Sequence, residues 1–386
     1  MPTNALILSG GGARAAYQAG VLRAVSDILP NLEKPFPIIC GTSAGAINAV
    51  AMAAHPGDFH QAAADLAGTW EHLELENVFK PGWYDLCAGV LRVAGSFLNQ
   101  GIGRNRPLSL LDNSPLRAFL QSAIPFENIA KNIANGDLKA ISVTAMGYNS
   151  GESVAFFQAG EEQKGWRRAR RVGAPAEITV DHLLASSAIP TIFPAVYLSQ
   201  EYFADGAMRQ VAPISPALHL GADRLFVVGV SNNRNPKVWS KRKLPPKHSP
   251  SMAQIVGHMF NAAFIDALEG DLEHMYRVNH LLALMGDDRC DNTEHLRPVE
   301  TLLISPSKPL DKIAGRHVRD LPPAMRFFLR KTGATARAGG SAVASYVLFS
   351  HGYCNELMEL GYQDTMWERD AVEKFFAKED GGSSDN

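Results

Sequence analysis

The sequence predicts an α/β fold in which a parallel or mixed sheet is covered on both faces by helices. Two observations carry this prediction. Strand-like and helical stretches alternate through the first 230 residues. Two of the strands also run without a spacer into a glycine turn that opens a helix. The first is Ala5-Leu6-Ile7-Leu8, followed by Ser9-Gly10-Gly11-Gly12-Ala13-Arg14. The second is Pro37-Ile38-Ile39-Cys40, followed by Gly41-Thr42-Ser43-Ala44-Gly45.

A chain of 386 residues can bury a large core, as one α/β domain with decorations or as two domains. Its 46% hydrophobic and 20% charged content fits a globular chain, and a formal net charge of −2 gives no global reason to expect a nucleic acid partner. Met1-Pro2-Thr3-Asn4 leads straight into a strand, without a charged n-region or cleavage site, and no apolar run is long enough to span a bilayer. The expected location is the cytoplasm, with peripheral contact allowed at the inner membrane surface. Cys40, Cys87, Cys290 and Cys354 lie far apart with no CxxC pair, which fits reduced thiols better than a disulfide framework or a zinc site.

The second turn opens a helix over 44–54 that stops at His55-Pro56-Gly57-Asp58, where a new helix over 59–73 begins. Leu86, Val90, Val93 and Phe97 then recur at helical spacing. A helix packed on the core is the expected reading, with a lid or membrane-facing helix as its rival. A helix over 114–123 precedes a strand over 138–146, which Asn149-Ser150-Gly151 turns into a hairpin ending at Phe157. Trp166-Arg167-Arg168-Ala169-Arg170-Arg171 is a basic run expected as a solvated loop. Asp181 is expected to cap a helix that Pro190 ends.

Two short strand-like runs lead to Tyr202-Phe203-Ala204-Asp205-Gly206-Ala207, so Asp205 stands at a strand end before a glycine turn. A helix over 214–220 and a buried strand over 224–230 follow. Ser231 to Ser251 gathers Lys237, Lys241, Arg242, Lys243 and Lys247 around Trp239 and reads as a mobile basic loop. A long helix over about 252–284, a strand over 299–305 and a helix over 341–350 complete the pattern, without an internal repeat. The expected organisation is thus a catalytic core over 4–230, the basic loop over 231–251, a mostly helical part with one further strand over 252–378, and a disordered tail over 379–386.

Gly41-Thr42-Ser43-Ala44-Gly45 fits Gly-x-Ser-x-Gly, the sharp strand-to-helix turn that lifts a serine nucleophile out of a sheet. Gly41 and Gly45 lack the Cβ atoms that would collide where strand and helix leave the turn close together. Ser43 would sit at a helix N-terminus, where unpaired N–H groups favour negative charge. An ordinary glycine-rich turn fits the same five residues, so a second motif must decide.

The loop Gly10-Gly11-Gly12 exposes backbone N–H groups beside a helix N-terminus, which makes an anion nest. A Walker phosphate loop is excluded because no Lys-Ser/Thr pair follows the glycines. A dinucleotide fingerprint can be read as Gly10-x-Gly12-x-x-Ala15, but the strand over 37–41 ends in Cys-Gly rather than an acidic residue for a ribose. An oxyanion hole is the third reading. It needs a serine nucleophile nearby, and Ser43 provides one.

Together, Gly10-Gly11-Gly12-Ala13-Arg14, Gly41-Thr42-Ser43-Ala44-Gly45 and Asp205-Gly206-Ala207 resemble the patatin-like phospholipases. Ala185-Ser186-Ser187-Ala188-Ile189-Pro190 with Phe193-Pro194 is similar to the stretch that precedes the family's Asp-Gly-Ala/Gly motif. Asp266-Ala267-Leu268-Glu269 and Ser345-Tyr346-Val347-Leu348-Phe349 extend the likeness to about residues 4–365. Ala15 departs from the pattern, since many members carry a third glycine there. The resemblance implies a three-layer α/β/α sandwich with a mostly parallel central sheet and added C-terminal helices. It also implies a Ser43/Asp205 dyad with no catalytic histidine, metal or cofactor, acting on phospholipid or other lipid esters as a phospholipase A or lysophospholipase.

The chemistry can be argued beside the resemblance. A serine hydroxyl needs a base within hydrogen-bond reach, and Asp205 would be that base. A carboxylate with a pKa of ~4 is a weak base, so the site should raise it by burial or couple proton transfer to bond formation. The oxyanion would be held by backbone N–H groups of Gly11, Gly12 and Ala13, with Arg14 adding positive charge or holding the loop. Alternatives stand beside each residue. Asp205 could merely cap the turn at Gly206, Arg14 could be structural, and His182 and His219 are rival bases. For the whole chain the alternatives are a catalytically weak lipid-binding or regulatory protein, and a nucleotide-binding module that would retain NAD or NADP.

Overall fold

A computed structural model of the chain describes residues 2–98, 107–210, 212–231, 252–263, 267–285, 297–331 and 341–377. Strand β1 (Asn4–Leu8) continues through the glycine loop and a short 3-10 helix (Gly12–Ala15) into α1 (Ala16–Ile28). Strand β2 (Ile38–Thr42), buried along its whole length, turns at Ser43 into α2 (Ala44–Ala54). Near-continuous apolar runs of this kind suit parallel strands that have helices on both faces. Helices α3 (Phe59–Glu71), α4 (Leu75–Val78), α5 (Trp83–Leu98), α6 (Ser114–Ala123) and α7 (Glu127–Ala134) follow.

The chain then re-enters the sheet as β3 (Ala140–Gly147), β4 (Ser153–Ala159), β5 (Trp166–Arg168) and β6 (Arg171–Pro175). After α8 (Val180–Ser186) come β7 (Val196–Leu198), β8 (Glu201–Asp205), α9 (Ser215–His219) and β9 (Arg224–Val228). The C-terminal part adds α10 (Met252–Asn261), α11 (Ala267–Met285), β10 (Glu300–Ile304), α12 (Leu310–His317), α13 (Pro323–Lys331), α14 (Ser341–Val347), α15 (His351–Trp367) and α16 (Arg369–Phe376).

The strand order is β10-β9-β1-β2-β3-β4-β6-β5. From β10 to β3 every neighbour is parallel, and the β3–β4, β5–β6, β3–β8 and β7–β8 pairs are antiparallel. Period-two alternation splits β1 between two cores: Leu6 and Leu8 pack in the larger cluster with Tyr17, Val21 and Leu357, while Ala5 and Ile7 pack in the smaller one with Ala217 and Leu272. The result is three layers, helix over sheet over helix.

Strand β3 sets the geometry that matters for function. Along one edge it pairs with β4 over Ala140 to Met146. Along the other it pairs first with β2, as far as Thr42 opposite Thr144, and then with β8, where Asp205 lies opposite Ala145. Strand β8 therefore takes up the edge of β3 where β2 leaves it. Ser43 and Asp205, 162 positions apart, are brought to one point.

Several sequence expectations are corrected in detail. Thr179, not Asp181, caps α8: its side chain and that of His182 exchange hydrogen bonds with the first turn, and Asp181 instead pairs with Arg117 at 2.6 Å. The basic run at 166–171 is not a loop but the β5–β6 hairpin, with Arg168 opposite Arg171. The α5 stripe is only partly a core face: Leu86 is buried, Val93 is half-buried and Val90 is exposed, while the Phe97 side chain lies outside the described residues. The long helix is described as α10 and α11, with 264–266 outside the described residues. The basic loop over 232–251, with Lys237, Lys241, Arg242, Lys243 and Lys247, also lies outside them, as does the tail from 378. Among the described residues no helix is long and apolar enough to cross a membrane.

The C-terminal helices are part of the core. Helix α15 crosses α1 so closely that a Cβ on Gly20 would lie 1.9 Å from the Met358 carbonyl oxygen, and one on Gly361 would lie 2.2 Å from that of Tyr17. The Tyr17 hydroxyl donates to the buried Asp364 carboxylate at 3.1 Å at the same crossing.

Candidate active site

The turn at Ser43 is sterically determined. A Cβ on Gly41 would come within 2.5 Å of the Ala46 Cα, and one on Gly45 within 2.4 Å of the Leu8 carbonyl oxygen, so only glycine lets β2 and α2 leave the turn this closely. Ser43 itself has φ 56 and ψ −132. A non-glycine residue held there stores strain of roughly 1–3 kcal/mol, and the surrounding bonds must hold it in place. Its N–H donates to the Ser186 hydroxyl at 2.8 Å, and that hydroxyl donates to the Thr144 carbonyl at 2.6 Å. Just before it, the Thr42 hydroxyl donates to the Gln210 side chain at 2.8 Å, and Gln210 reaches back to the Thr144 hydroxyl at 3.3 Å.

The Ser43 hydroxyl donates to Asp205 Oδ2 at 2.6 Å, and Asp205 Oδ1 accepts the Ala207 N–H at 3.0 Å. Asp205 has no exposed surface. Burial pushes its carboxyl up to about 7, against the lowering effect of the two hydrogen bonds it accepts. Gly206 lets this turn press on β3, since a Cβ there would lie 2.1 Å from the Thr144 carbonyl oxygen.

The rival histidines have other partners. His182 Nδ1 accepts the Thr179 N–H at 3.1 Å, its ring packs edge-on to Phe156, and burial lowers it to about 4. His219 bonds the Ser215 carbonyl at 2.8 Å and stacks on Trp166.

Gly10, Gly11, Gly12 and Ala13 are buried beside Ser43, with Gly12 at φ 55. Among the described residues the N–H groups of Gly11, Gly12 and Ala13 donate to no protein acceptor, whereas that of Arg14 is bonded to the Gly11 carbonyl at 3.2 Å. The Arg14 side chain donates to the Ser345 hydroxyl at 2.8 Å and lies 4.1 Å over the Tyr346 ring. Of the two roles expected for Arg14, adding positive charge or holding the loop, these contacts match the second. The side chain fixes the glycine loop to α14. Ser186 and Gln210 are the residues the sequence reading did not single out for the site; Ser186 lay inside the quoted Ala185–Pro190 block, and Gln210 carried no signal.

The family model described as patatin-like phospholipase matches residues 6–218. The chain belongs to the patatin-like phospholipase family. Membership places it among lipid hydrolases. Among solved structures it is similar to VipD from Legionella pneumophila, with 12% identity and a TM-score of 0.34, covering 96% of this chain and 67% of that one. It is also similar to the type III effector protein ExoU, with 16% identity and a TM-score of 0.30, covering 97% of this chain and 80% of that one. A third similar structure is full-length ExoU with SpcU from the type III secretion system of Pseudomonas aeruginosa, with 13% identity and a TM-score of 0.27, covering 89% of this chain and 70% of that one. Among curated proteins nothing matches.

In this patatin-like chain an apolar cavity with about 820 Å³ of empty space opens at Ser43. Ile47, Leu66, Trp70, Leu120, Phe193 and Phe349 are among its walls. A buried polar residue on the wall, Asn48, is fully engaged: it donates to the Ala15 carbonyl and the Gln18 side chain and accepts from the Trp70 indole. Apart from the glycine-loop N–H groups beside Ser43, the wall is thus apolar or internally satisfied, the lining that suits a hydrocarbon chain.

Proposed function

We propose that the chain hydrolyses carboxylic esters of lipids, as a phospholipase A or lysophospholipase, through a Ser43/Asp205 dyad and an acyl-enzyme intermediate. The observation that carries this reading is the 2.6 Å bond from the Ser43 hydroxyl to a fully buried Asp205 whose carboxyl is pushed to about 7. A carboxylate with a pKa near neutrality accepts the serine proton far more readily than one at ~4. Ser43 Oγ attacks the ester carbonyl carbon as its proton passes to Asp205 Oδ2. The carbonyl oxygen becomes an oxyanion held by the N–H groups of Gly11, Gly12 and Ala13, and each such donor is worth about a hundred- to a thousandfold in rate.

Collapse of the intermediate breaks the ester C–O bond, and the leaving alcohol takes the proton from Asp205. Water then gives a proton to Asp205 and attacks the acyl-enzyme, after which Ser43 recovers its proton. Throughout, the acyl chain lies in the cavity bounded by Ile47, Leu120 and Phe349.

The test is hydrolysis of a panel of phospholipids, lysophospholipids and short esters by wild type and by Ser43→Ala and Asp205→Asn. Loss of turnover in both variants, with labelling of wild type at Ser43 by a fluorophosphonate, is the expected result. Turnover retained in Ser43→Ala would discard the dyad. No turnover of any ester by wild type would leave the lipid-binding reading in its place.

A further inference from the structure

The apolar cavity that opens at Ser43 follows one face of α2. Ala44, Ile47 and Ala51 line it, at the three- and four-residue spacing that brings helical side chains onto one face. Ile47 and Ala51 are also the two residues of α2 that are not buried, so the surface they keep is turned to the cavity. At about 1.5 Å of rise per residue, Ile47 lies about 6 Å and Ala51 about 12 Å along the helix from Ser43.

The wall across from α2 is held in place. Helix α3 turns back along α2 after the connection at 55–58, and its Trp70 indole donates to the Asn48 side chain at 2.8 Å while the ring stacks on Phe349. Leu66, one turn earlier on α3 and on the same face as Trp70, then comes to the level of Ala51. Leu66, Trp70 and Phe349 are buried and closely packed, so this wall does not swing aside for a longer chain. Ala51, by contrast, puts only a methyl group into the cavity, and its half-buried state leaves that level open.

A hydrocarbon supplies its own scale. With bonds of about 1.5 Å set in a zigzag, an extended chain advances about 1.3 Å per carbon, which brings about its fifth carbon level with Ile47 and about its tenth level with Ala51. We propose that Ala51 is the specificity-determining residue for acyl-chain length: chains of about ten carbons fill the open face of α2, and longer ones pass over the Ala51 methyl group. The inference rests on the acyl-hydrolase reading above. Each methylene that enters the cavity is worth about fourfold in kcat/KM, and the gain ends where the face of α2 ends.

The experiment measures kcat/KM of wild type, Ile47→Trp and Ala51→Phe on p-nitrophenyl esters of four to sixteen carbons, all in the same neutral detergent micelles. Wild type should climb steeply with chain length as far as about ten carbons and then flatten. In Ala51→Phe the climb should stop two or three carbons sooner, which lowers the ratio of the twelve-carbon to the six-carbon ester about ten- to a hundredfold. In Ile47→Trp it should stop sooner still, by the four or so carbons that span one helical turn of about 5.4 Å. Breaks at the same length in both variants, or a twelve-to-six ratio that Ala51→Phe leaves unchanged, would overturn the proposal. A binding arm titrates hexanoate and dodecanoate into Ser43→Ala by calorimetry, so it reads the cavity even if no ester is turned over. Tighter binding of dodecanoate, with the difference lost in Ser43→Ala/Ala51→Phe, supports the proposal. Equal affinities in Ser43→Ala, or a difference that survives Ala51→Phe, overturn it. If wild type cleaves no ester while that binding difference is found, the hydrolase reading ends and Ala51 still gauges the chain. Ala51→Leu repeats both arms if Ala51→Phe does not fold.

Discussion

The Asp205 carboxyl is where function and stability pull against each other. With its pKa raised from 3.8 to about 7 in the fold, the native chain binds this proton more tightly than the unfolded chain does. The contribution is thus fully present below about pH 4 and is lost as pH rises through about 7. In the base role proposed for it the same group must be ionised, so kcat/KM should rise through about pH 7 while stability falls. Asp205→Asn removes the titration. Thermal melts at pH 5 and pH 8.5 should show wild type losing stability relative to this variant on the alkaline side, and parallel melts would show that the carboxyl titrates near its ordinary value. Ser186 is a second residue with a readable role: Ser186→Ala leaves the Ser43 N–H and the Thr144 carbonyl buried without their partner, at about 1–3 kcal/mol. Its expected signature is a kcat lowered about tenfold with KM little moved. A change in KM alone would show that Ser186 does not hold the elbow.

Between elements, the close crossing of α1 and α15 gives the sharpest test. At Gly20 a side chain would run into helix backbone rather than a flexible neighbour, so Gly20→Val should cost about 3 kcal/mol by denaturant titration. Gly68, inside α3, has nothing within 4 Å of a built Cβ, and Gly68→Ala should gain about 0.5–1 kcal/mol from helix propensity. Equal effects from the two substitutions would mean that α15 does not press on α1. What could be read from the sequence at this scale follows from how local each cause is. The β1 and β2 turns were legible because apolar run, glycines and helix lie within a dozen residues. The β5–β6 hairpin was not, because β5 is only three residues long with two arginines, and the five-residue β6 gains its order from pairing with β4. The cap of α8 was misplaced because Thr179 and Asp181 are both good cap formers, and only the reciprocal bond with His182 decides between them.

At the scale of the molecule, the family match ends at residue 218, yet the fold continues past it. Strand β10 completes the sheet beside β9, α14 backs the glycine loop through Ser345 and Tyr346, and α15 covers α1. A chain ended at residue 298 should therefore lose the cooperative transition of the full chain in scanning calorimetry. A sharp transition at the same temperature would show the C-terminal part to be a separate unit. The site itself was legible as three motifs but not as one place, because their meeting depends on pairing between strands far apart in sequence. Strand β3 does that joining, with β2 and β8 end to end along one edge. It works as a ruler: chain added anywhere outward between Ser43 and Asp205 leaves the distance between them unchanged, whereas one residue gained or lost at Thr144 or Ala145 would shift the acid by a strand step of about 3.3 Å and uncouple the pair. Over evolutionary time the 162-position interval is free to grow loops and lids, while a two-residue stretch of β3 that never touches the substrate is not free to change length.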